Sequence, residues 1–343
     1  MDSYSFIRPL LFQFEAEKAH HFTLETLSFL HRCHLLNSFI SRTNVLPTNL
    51  CGLQLNNPVG LAAGLDKDGK YIDALAALGF GFLEIGTVTP LPQAGNPLPR
   101  MFRLAKSQAI INRMGFNNDG VQACIKRVEA STYYQNGGIL GINIGKNAIT
   151  PIENAHSDYI ICLKAVYPFA SYITINISSP NTKNLRQLQS NNQLHHLLNE
   201  FTLAREQLIQ QYGKRTPVFL KIAPDLNNEE IEVISSYIEK FQIDALIATN
   251  TTISREEISQ EALCNEAGGL SGAPLRELSN QTIKQFHHYL SHKVPIIGVG
   301  GIMNGTDALE KKIMGAKAIQ VYSGLIYRGP RLIQECITAL DPN

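Results

Sequence analysis

Between residues 62 and 324, apolar runs of this chain end repeatedly in side chains that could do chemistry. One run passes into Ala62-Ala63-Gly64-Leu65-Asp66-Lys67 and another ends in Gly86-Thr87-Val88-Thr89. Later ones carry Asn143 and Lys146, Asn176-Ile177-Ser178-Ser179-Pro180-Asn181, Lys221, and Thr249-Asn250-Thr251-Thr252. Asparagine both donates and accepts, so Asn112, Asn143, Asn176, Asn181 and Asn250 brought together would suit a heterocycle with alternating N–H and C=O edges, such as a pyrimidine or an isoalloxazine. Each alone reads as a turn or cap residue; five beside run ends or on a long insertion argue for a site. Lys67 and Lys221 add point charges for a carboxylate or for electron density on a reduced ring. A solvated lysine is the plain alternative, which Phe219, Leu220 and Ile222 around Lys221 disfavour.

The last runs end in Gly298-Val299-Gly300-Gly301 and Tyr322-Ser323-Gly324, and Gly268, Gly269 and Gly272 precede them. Glycines there let backbone N–H groups approach an anion, so a phosphate cradle is expected, with simple tight turns as the alternative. Ser179 stands before a Pro-Asn turn. No Ser-His-Asp pattern or nucleophile elbow accompanies it, so hydrolysis is not indicated. As a base it would need its proton relayed away, through water or Thr182. Chemistry alone does not choose Ser179 over Ser178.

Such run ends must be gathered by a scaffold. Eight continuous apolar runs occur: Val59–Ala63, Phe82–Val88, Leu140–Gly145, Tyr172–Ser178, Val218–Ala223, Ala245–Asn250, Pro295–Gly301 and Ala318–Gly324. Continuity rather than alternation marks strands buried on both faces. Helical patterns separate them: Asp68–Leu78 stopping at Gly79, Asn192–Tyr212 at Gly213, Thr306–Met314 at Gly315. Thr150-Pro151-Ile152-Glu153 reads as a capping box. Eight strand–helix units predict an α/β fold, a (β/α)8 TIM barrel, over an open doubly wound sheet. A hairpin, Gly52 to Leu55 turning at Asn56-Asn57-Pro58, is expected before it. The connections 89–138 and 251–293 are long enough to carry function. Residues 1–46 read as an N-terminal helical extension to a barrel spanning 47–343. Its stripes are Phe6, Ile7, Leu10, Leu11 and Phe14, then Phe22, Leu24, Leu27, Leu30, Leu35, Phe39 and Ile40. A pair this apolar must cover the barrel, a partner or a membrane surface.

The chain has 343 residues and a formal net charge of +1, which gives no global attraction for nucleic acid. Its six cysteines are scattered, with no CxxC pair and no His/Cys cluster at metal spacing, so no metal is expected and a reducing compartment is. No apolar run approaches the roughly 18 residues of a spanning helix. The start lacks the form of a secretory signal, so the mature chain is expected to begin near Met1 and to stay on the cytoplasmic side.

Gly60 to Gly69, Glu84 to Pro90, Asn112 to Asn118, Asn176 to Thr182, Val218 to Asp225, Ala248 to Thr252, Gly268 to Gly272 and Ile296 to Gly301, in this order, resemble the class 2, quinone-dependent dihydroorotate dehydrogenases, and the likeness covers nearly the whole chain. The resemblance implies flavin mononucleotide (FMN) over the barrel mouth, contacted by Ala63, Gly64, Leu65, Asp66, Lys67, Thr87, Asn143, Asn176, Lys221 and Thr249. Its phosphate would lie near Gly272, Gly301, Tyr322 and Ser323. Dihydroorotate would be held by Lys67, Asn112, Asn176, Asn181, Asn250 and Thr251, and by the Arg113-Met114-Gly115-Phe116 turn. Ser179 would remove the C5 proton while the C6 hydride passes to flavin N5, giving orotate for pyrimidine (UMP) biosynthesis.

The soluble class carries cysteine where this chain has Ser179. The quinone class adds an N-terminal helical extension forming a tunnel, with His20, Arg103 and Tyr322 implied at a ubiquinone or menaquinone site. Eukaryotic members of the class add a targeting segment and a spanning helix before these helices, and neither is expected for this chain. A bacterial enzyme resting peripherally on the cytoplasmic face of the inner membrane is therefore expected, and a monomer, because the extension would cover the surface a soluble-class dimer might use. A dihydrouridine synthase would want a basic surface and a cysteine acid. A non-catalytic phosphate-binding barrel would leave the asparagines and both lysines without purpose.

Overall fold

The computed structural model describes residues 3–36 and 44–342; Phe39 and Ile40 of the second stripe lie outside them. All eight expected strands are present: β1 (Val59–Leu61), β2 (Phe82–Val88), β3 (Leu140–Ile144), β4 (Tyr172–Asn176), β5 (Val218–Ile222), β6 (Ala245–Ala248), β7 (Ile296–Val299) and β8 (Ala316–Val321). Each pairs in parallel with the next, and β8 pairs with β1, so the sheet closes into a (β/α)8 barrel. The main core lies between strands and surrounding helices, where the continuous apolar runs bury their outer faces. Register sets chemistry side by side: Asn176 at the end of β4 lies opposite Lys221 on β5.

The barrel interior is layered. Phe82, Tyr172 and Phe219 fill its lower part, with Tyr172 stacked on Phe219 at 4.4 Å between ring centroids. A Cβ on Gly60 or Gly141 would strike the Phe82 or Tyr172 ring, so both positions are small to admit them. The hairpin plugs this end with Leu50 and Leu55. It pairs Thr48–Leu50 with Leu53–Leu55 and turns at Cys51-Gly52, both at positive φ, not at Asn56-Asn57-Pro58 as expected. The Asn57 side chain instead bonds the backbone of Val59 and Gly79, anchoring the chain as it enters β1.

Two helix starts also differ from expectation. Thr150-Pro151 forms no capping box: Pro151 is extended ahead of a short 3-10 turn, and the Thr150 carbonyl accepts from Lys146 Nζ at 2.9 Å. A capping box does form at Asn227/Glu230, opening helix Asn228–Lys240. The helix after β1 is only Ile72–Ala76, because the Asp66 carboxylate accepts from Lys70 and Tyr71 N–H and holds residues 66–71 as a loop.

The two long connections fold together. Met101–Leu104 and Ala109–Asn112 from the first form a three-stranded antiparallel sheet with Gly269–Gly272 from the second. Helices α1 (Ser3–Leu11) and α2 (Ala16–Arg32) lean on this sheet and on helix Ser323–Arg328. Tyr4 and Arg8 of α1 donate to the Ile326 and Tyr327 carbonyls, and Arg103 reaches the carbonyls of Leu11, Phe12 and Phe14. Most of the expected first stripe faces outward: Phe6 is 70 % exposed and Leu10 61 %. No helix among the described residues is long and apolar enough to cross a membrane.

One buried ion pair clamps α2. Arg100 donates to both Glu17 oxygens at 2.8–3.1 Å and, through Nη1, to the Ala94 and Asn96 carbonyls. Removing one partner of such a pair leaves a buried charge uncompensated. Glu17→Gln should therefore lower unfolding stability by about 3 kcal/mol in denaturant titration. A loss under about 1 kcal/mol would mean that α2 is held by apolar packing alone.

Candidate active site

The C-terminal ends of the strands surround one polar cavity. It is lined by Ala63, Gly64, Lys67, Thr87, Asn112, Met114, Gly115, Phe116, Asn176, Ser179, Asn181, Lys221, Thr249, Asn250, Thr251, Gly272, Gly301, Tyr322 and Ser323. The sequence expectation thus converges on one place for all but four of the polar-mouth residues. Asn143 is fully buried beneath the cavity, where it bridges Thr87 Oγ1 at 2.5 Å and Glu84 at 2.8 Å. Asp66 is spent on its loop. Leu65 faces a second, apolar cavity. Arg113 turns away to pair with Glu266 at 2.6 Å, its guanidinium over the Phe102 ring at 4.6 Å.

The asparagines form a connected network. Asn176 Nδ2 donates to Thr87 Oγ1 (2.9 Å) and Asn143 Oδ1 (3.2 Å). Asn250 Nδ2 donates to Asn176 Oδ1 (3.3 Å) and Ser178 Oγ (3.0 Å). Across the cavity, Asn181 Nδ2 donates to Asn112 Oδ1 at 3.1 Å. Asn181 Oδ1 and Thr251 Oγ1 are buried with no hydrogen-bond partner, so an acceptor and a hydroxyl are left for a ligand. The structure also separates the two serines. Ser178 is wholly buried in the asparagine network, whereas Ser179 lines the cavity and its Oγ accepts from Asn181 N–H at 3.2 Å.

Arg186 fixes the serine-bearing loop by donating to the Ser178 and Thr251 carbonyls and to Asp225 (2.8 Å). Neither Lys67 nor Lys221 has an ion-pair or hydrogen-bond partner among the described residues. Burial lowers Lys67 to about 8, opposed by Glu17, and lowers Lys221, opposed by Glu84. Two unpaired amines facing one cavity, Lys221 buried and Lys67 half-buried, suit an electron-rich or anionic ligand.

The glycine end suits an anion. The N–H groups of Gly300 and Gly301 find no acceptor among the described residues. A Cβ on Gly301 would lie 2.3 Å from Arg276 Cα and one on Gly272 2.2 Å from the Gln108 carbonyl, both at positive φ. Ser323 Oγ donates to Ser271 Oγ at 2.8 Å beside them. Sequence reasoning missed Ser271, Gln320 and Glu84, which carry no turn signal and sit inside strands.

The second cavity lies under α1 and α2. Its wall is apolar apart from His20, Arg103, Thr23 and Tyr4, and includes Ala16, Ala19, Leu24 and Ile110. Burial, helped by Lys67, holds His20 down to about 3, so the ring is neutral at physiological pH. Tyr322, the residue that caps helix Ser323–Arg328, lines the polar cavity, while Leu325 and Ile326 within that helix line the apolar one. Burial raises the Tyr322 phenol to about 12.

Comparison with known proteins agrees with this geometry. The family model for dihydroorotate dehydrogenase matches residues 45–342. A dihydroorotate dehydrogenase (quinone) of Polynucleobacter asymbioticus is 59 % identical over 340 residues, 99 % of each chain. One from Neisseria meningitidis is 55 % identical over 337 residues, covering 98 % of this chain and 99 % of that one. The crystal structure of the Eimeria tenella enzyme in complex with ferulenol superposes with a TM-score of 0.86 at 36 % identity, over 96 % of this chain and 93 % of that one. Barrel, cavity and sequence agree, and the chain belongs to the dihydroorotate dehydrogenase family.

Proposed function

We propose that this chain oxidises (S)-dihydroorotate to orotate for pyrimidine biosynthesis, with FMN as cofactor and a membrane quinone as final acceptor. The observation that carries this reading is that neighbouring residues of two segments line two unlike cavities. Gly64 and Lys67 face the polar mouth and Leu65 the apolar chamber; Ser323 faces the mouth and Leu325 the chamber. A polar anion and an apolar quinone can thus reach opposite sides of one group. The direct test is the visible spectrum of the purified protein. Bleaching by dihydroorotate and recovery with a short-chain quinone, but not with fumarate or NAD, is expected; a yellow protein that dihydroorotate cannot bleach would sink the substrate assignment.

FMN, when bound, supplies a two-electron acceptor beside the substrate. The chain's own residues do the rest. Lys67 offers its ammonium to the substrate carboxylate, and the free Asn181 Oδ1 and Thr251 Oγ1 suit the ring's polar edge. Ser179 takes the C5 proton as its own hydroxyl proton leaves, and Thr182, whose buried hydroxyl has no partner, suits the relay. Lys221 and the Gly272, Gly301 and Ser323 cradle suit the ring and phosphate of the cofactor. The residue 1–46 extension serves as the quinone tunnel, with His20 and Arg103 in its wall and its exposed Phe6, Leu10, Phe14 and Phe22 resting in the interface of the inner membrane, on its cytoplasmic side, as a monomer.

Ser179→Ala should keep its flavin but slow reduction by dihydroorotate roughly 10²–10⁴-fold in stopped flow; near-normal reduction would remove Ser179 from the base role. Lys67 is protonated below about 8 and neutral above it. The KM for dihydroorotate should therefore hold steady at lower pH and rise roughly tenfold per unit above that value, while Lys67→Met gives a high, flat profile. A wild-type KM unchanged across that range would reassign the lysine. Filling the chamber with Ala19→Phe should slow flavin reoxidation by quinone and spare reduction by dihydroorotate; equal slowing of both would argue against the chamber as the quinone route.

A further inference from the structure

We propose that Lys311, outside the cavity, is a positioning residue for the phosphate of the cofactor: it fixes the glycine loop of the cradle and sets a positive charge behind it. This rests on the FMN reading above. Lys311 lies on helix Gly305–Ile313 and is wholly buried, which is rare for a lysine without a counter-ion. Its Nζ donates to Ser279 Oγ at 2.8 Å and to the Arg276 carbonyl at 3.3 Å. Ser279 Oγ in turn donates to the Val299 carbonyl at 2.6 Å, one residue ahead of Gly300. The Arg276 backbone lies against Gly301 so closely that any Cβ there would overlap it. One amine thus holds both supports of Gly300-Gly301, two residues that line the cavity and whose N–H groups have no acceptor among the described residues.

Hydrogen bonds alone do not call for lysine; a neutral amide could make them. The charge is the unexplained part. Among the described residues no carboxylate lies within ion-pair distance of Lys311. Asp307 is taken by Arg276 (2.8 Å) and by Met303 N–H, and Glu310 by Asn280 and Arg276. Glu277 accepts from Gln281. Burial pulls the amine down to about 7, opposed by Asp307, Glu310 and Glu277 and assisted by Arg276. A dianion in the adjoining cradle is the missing compensation, felt through a medium of low dielectric.

The test compares FMN with riboflavin, which lacks the phosphate. In full-length protein, Lys311→Met should weaken FMN binding roughly tenfold or more, read by flavin-fluorescence quenching and by flavin retained on dilution, and change riboflavin binding less than about twofold. Lys311→Arg should recover part of the FMN affinity. Equal weakening of both flavins would mean general damage to packing and overturn the proposal, as would unchanged FMN binding. If Lys311→Met does not fold, Ser279→Ala is read in the same way: selective loss of FMN supports the proposal and equal loss overturns it. Wild-type protein that binds neither flavin would overturn this inference together with the function it rests on, whereas a variant that keeps wild-type FMN affinity overturns this inference alone.

Discussion

The Glu84 carboxylate, wholly buried at the centre of the barrel, is the group on which the rest of the site depends. A charge or a proton there must be satisfied by hydrogen bonds, and three side chains supply them: Asn143 Nδ2 at 2.8 Å, Gln320 Nε2 at 2.9 Å and the Tyr172 hydroxyl at 3.1 Å. They come from β3, β8 and β4, so one residue of β2 ties four strands together at the level where apolar filling gives way to polar lining. Asn143 then passes the order upward to Thr87 and Asn176, and Asn176 to Asn250 and Ser178. The amides that face the cavity are oriented from below by Asn143 and Glu84, which do not line it.

The same economy governs the rim. Arg186 joins the serine loop to the ends of β5 and β6. Asn96 joins the Arg113 turn to Asn181, and Arg100 carries that connection on to Glu17 in α2. The extension is therefore wired into the loops around the substrate as well as covering the apolar chamber.

Much of this was legible in the sequence because each barrel strand is buried on both faces and reads as an unbroken apolar run. The asparagines and lysines at the run ends were legible for the complementary reason: side chains so placed converge once the strands are parallel and closed. Other features depend on contacts that local patterns do not encode. Cys51-Gly52 and Asn56-Asn57 are both plausible turns, and only the pairing of Leu50 with Leu53 decides between them. The Thr150 capping box does not form because the Thr150 N–H donates to the Asn147 carbonyl instead of to Glu153, and Pro151 stays extended. The choice between Ser178 and Ser179 is one of side-chain direction at a strand end. The outward aim of Phe6 and Leu10 follows from how α1 is tied down by Tyr4 and Arg8 at the opposite face. Glu84, Gln320 and Lys311 look like ordinary charged or polar interruptions until their partners, far away in sequence, are in place.

The small sheet over the mouth joins segments far apart in the chain; Ser271 reaches the Ile110 carbonyl across 161 residues. Such a pairing carries a loop-closure cost that contacts made by the strands between help to offset. A nascent chain still missing its C-terminal third has no Gly269–Gly272 strand and no β8, so it exposes neither a finished cradle nor a finished chamber.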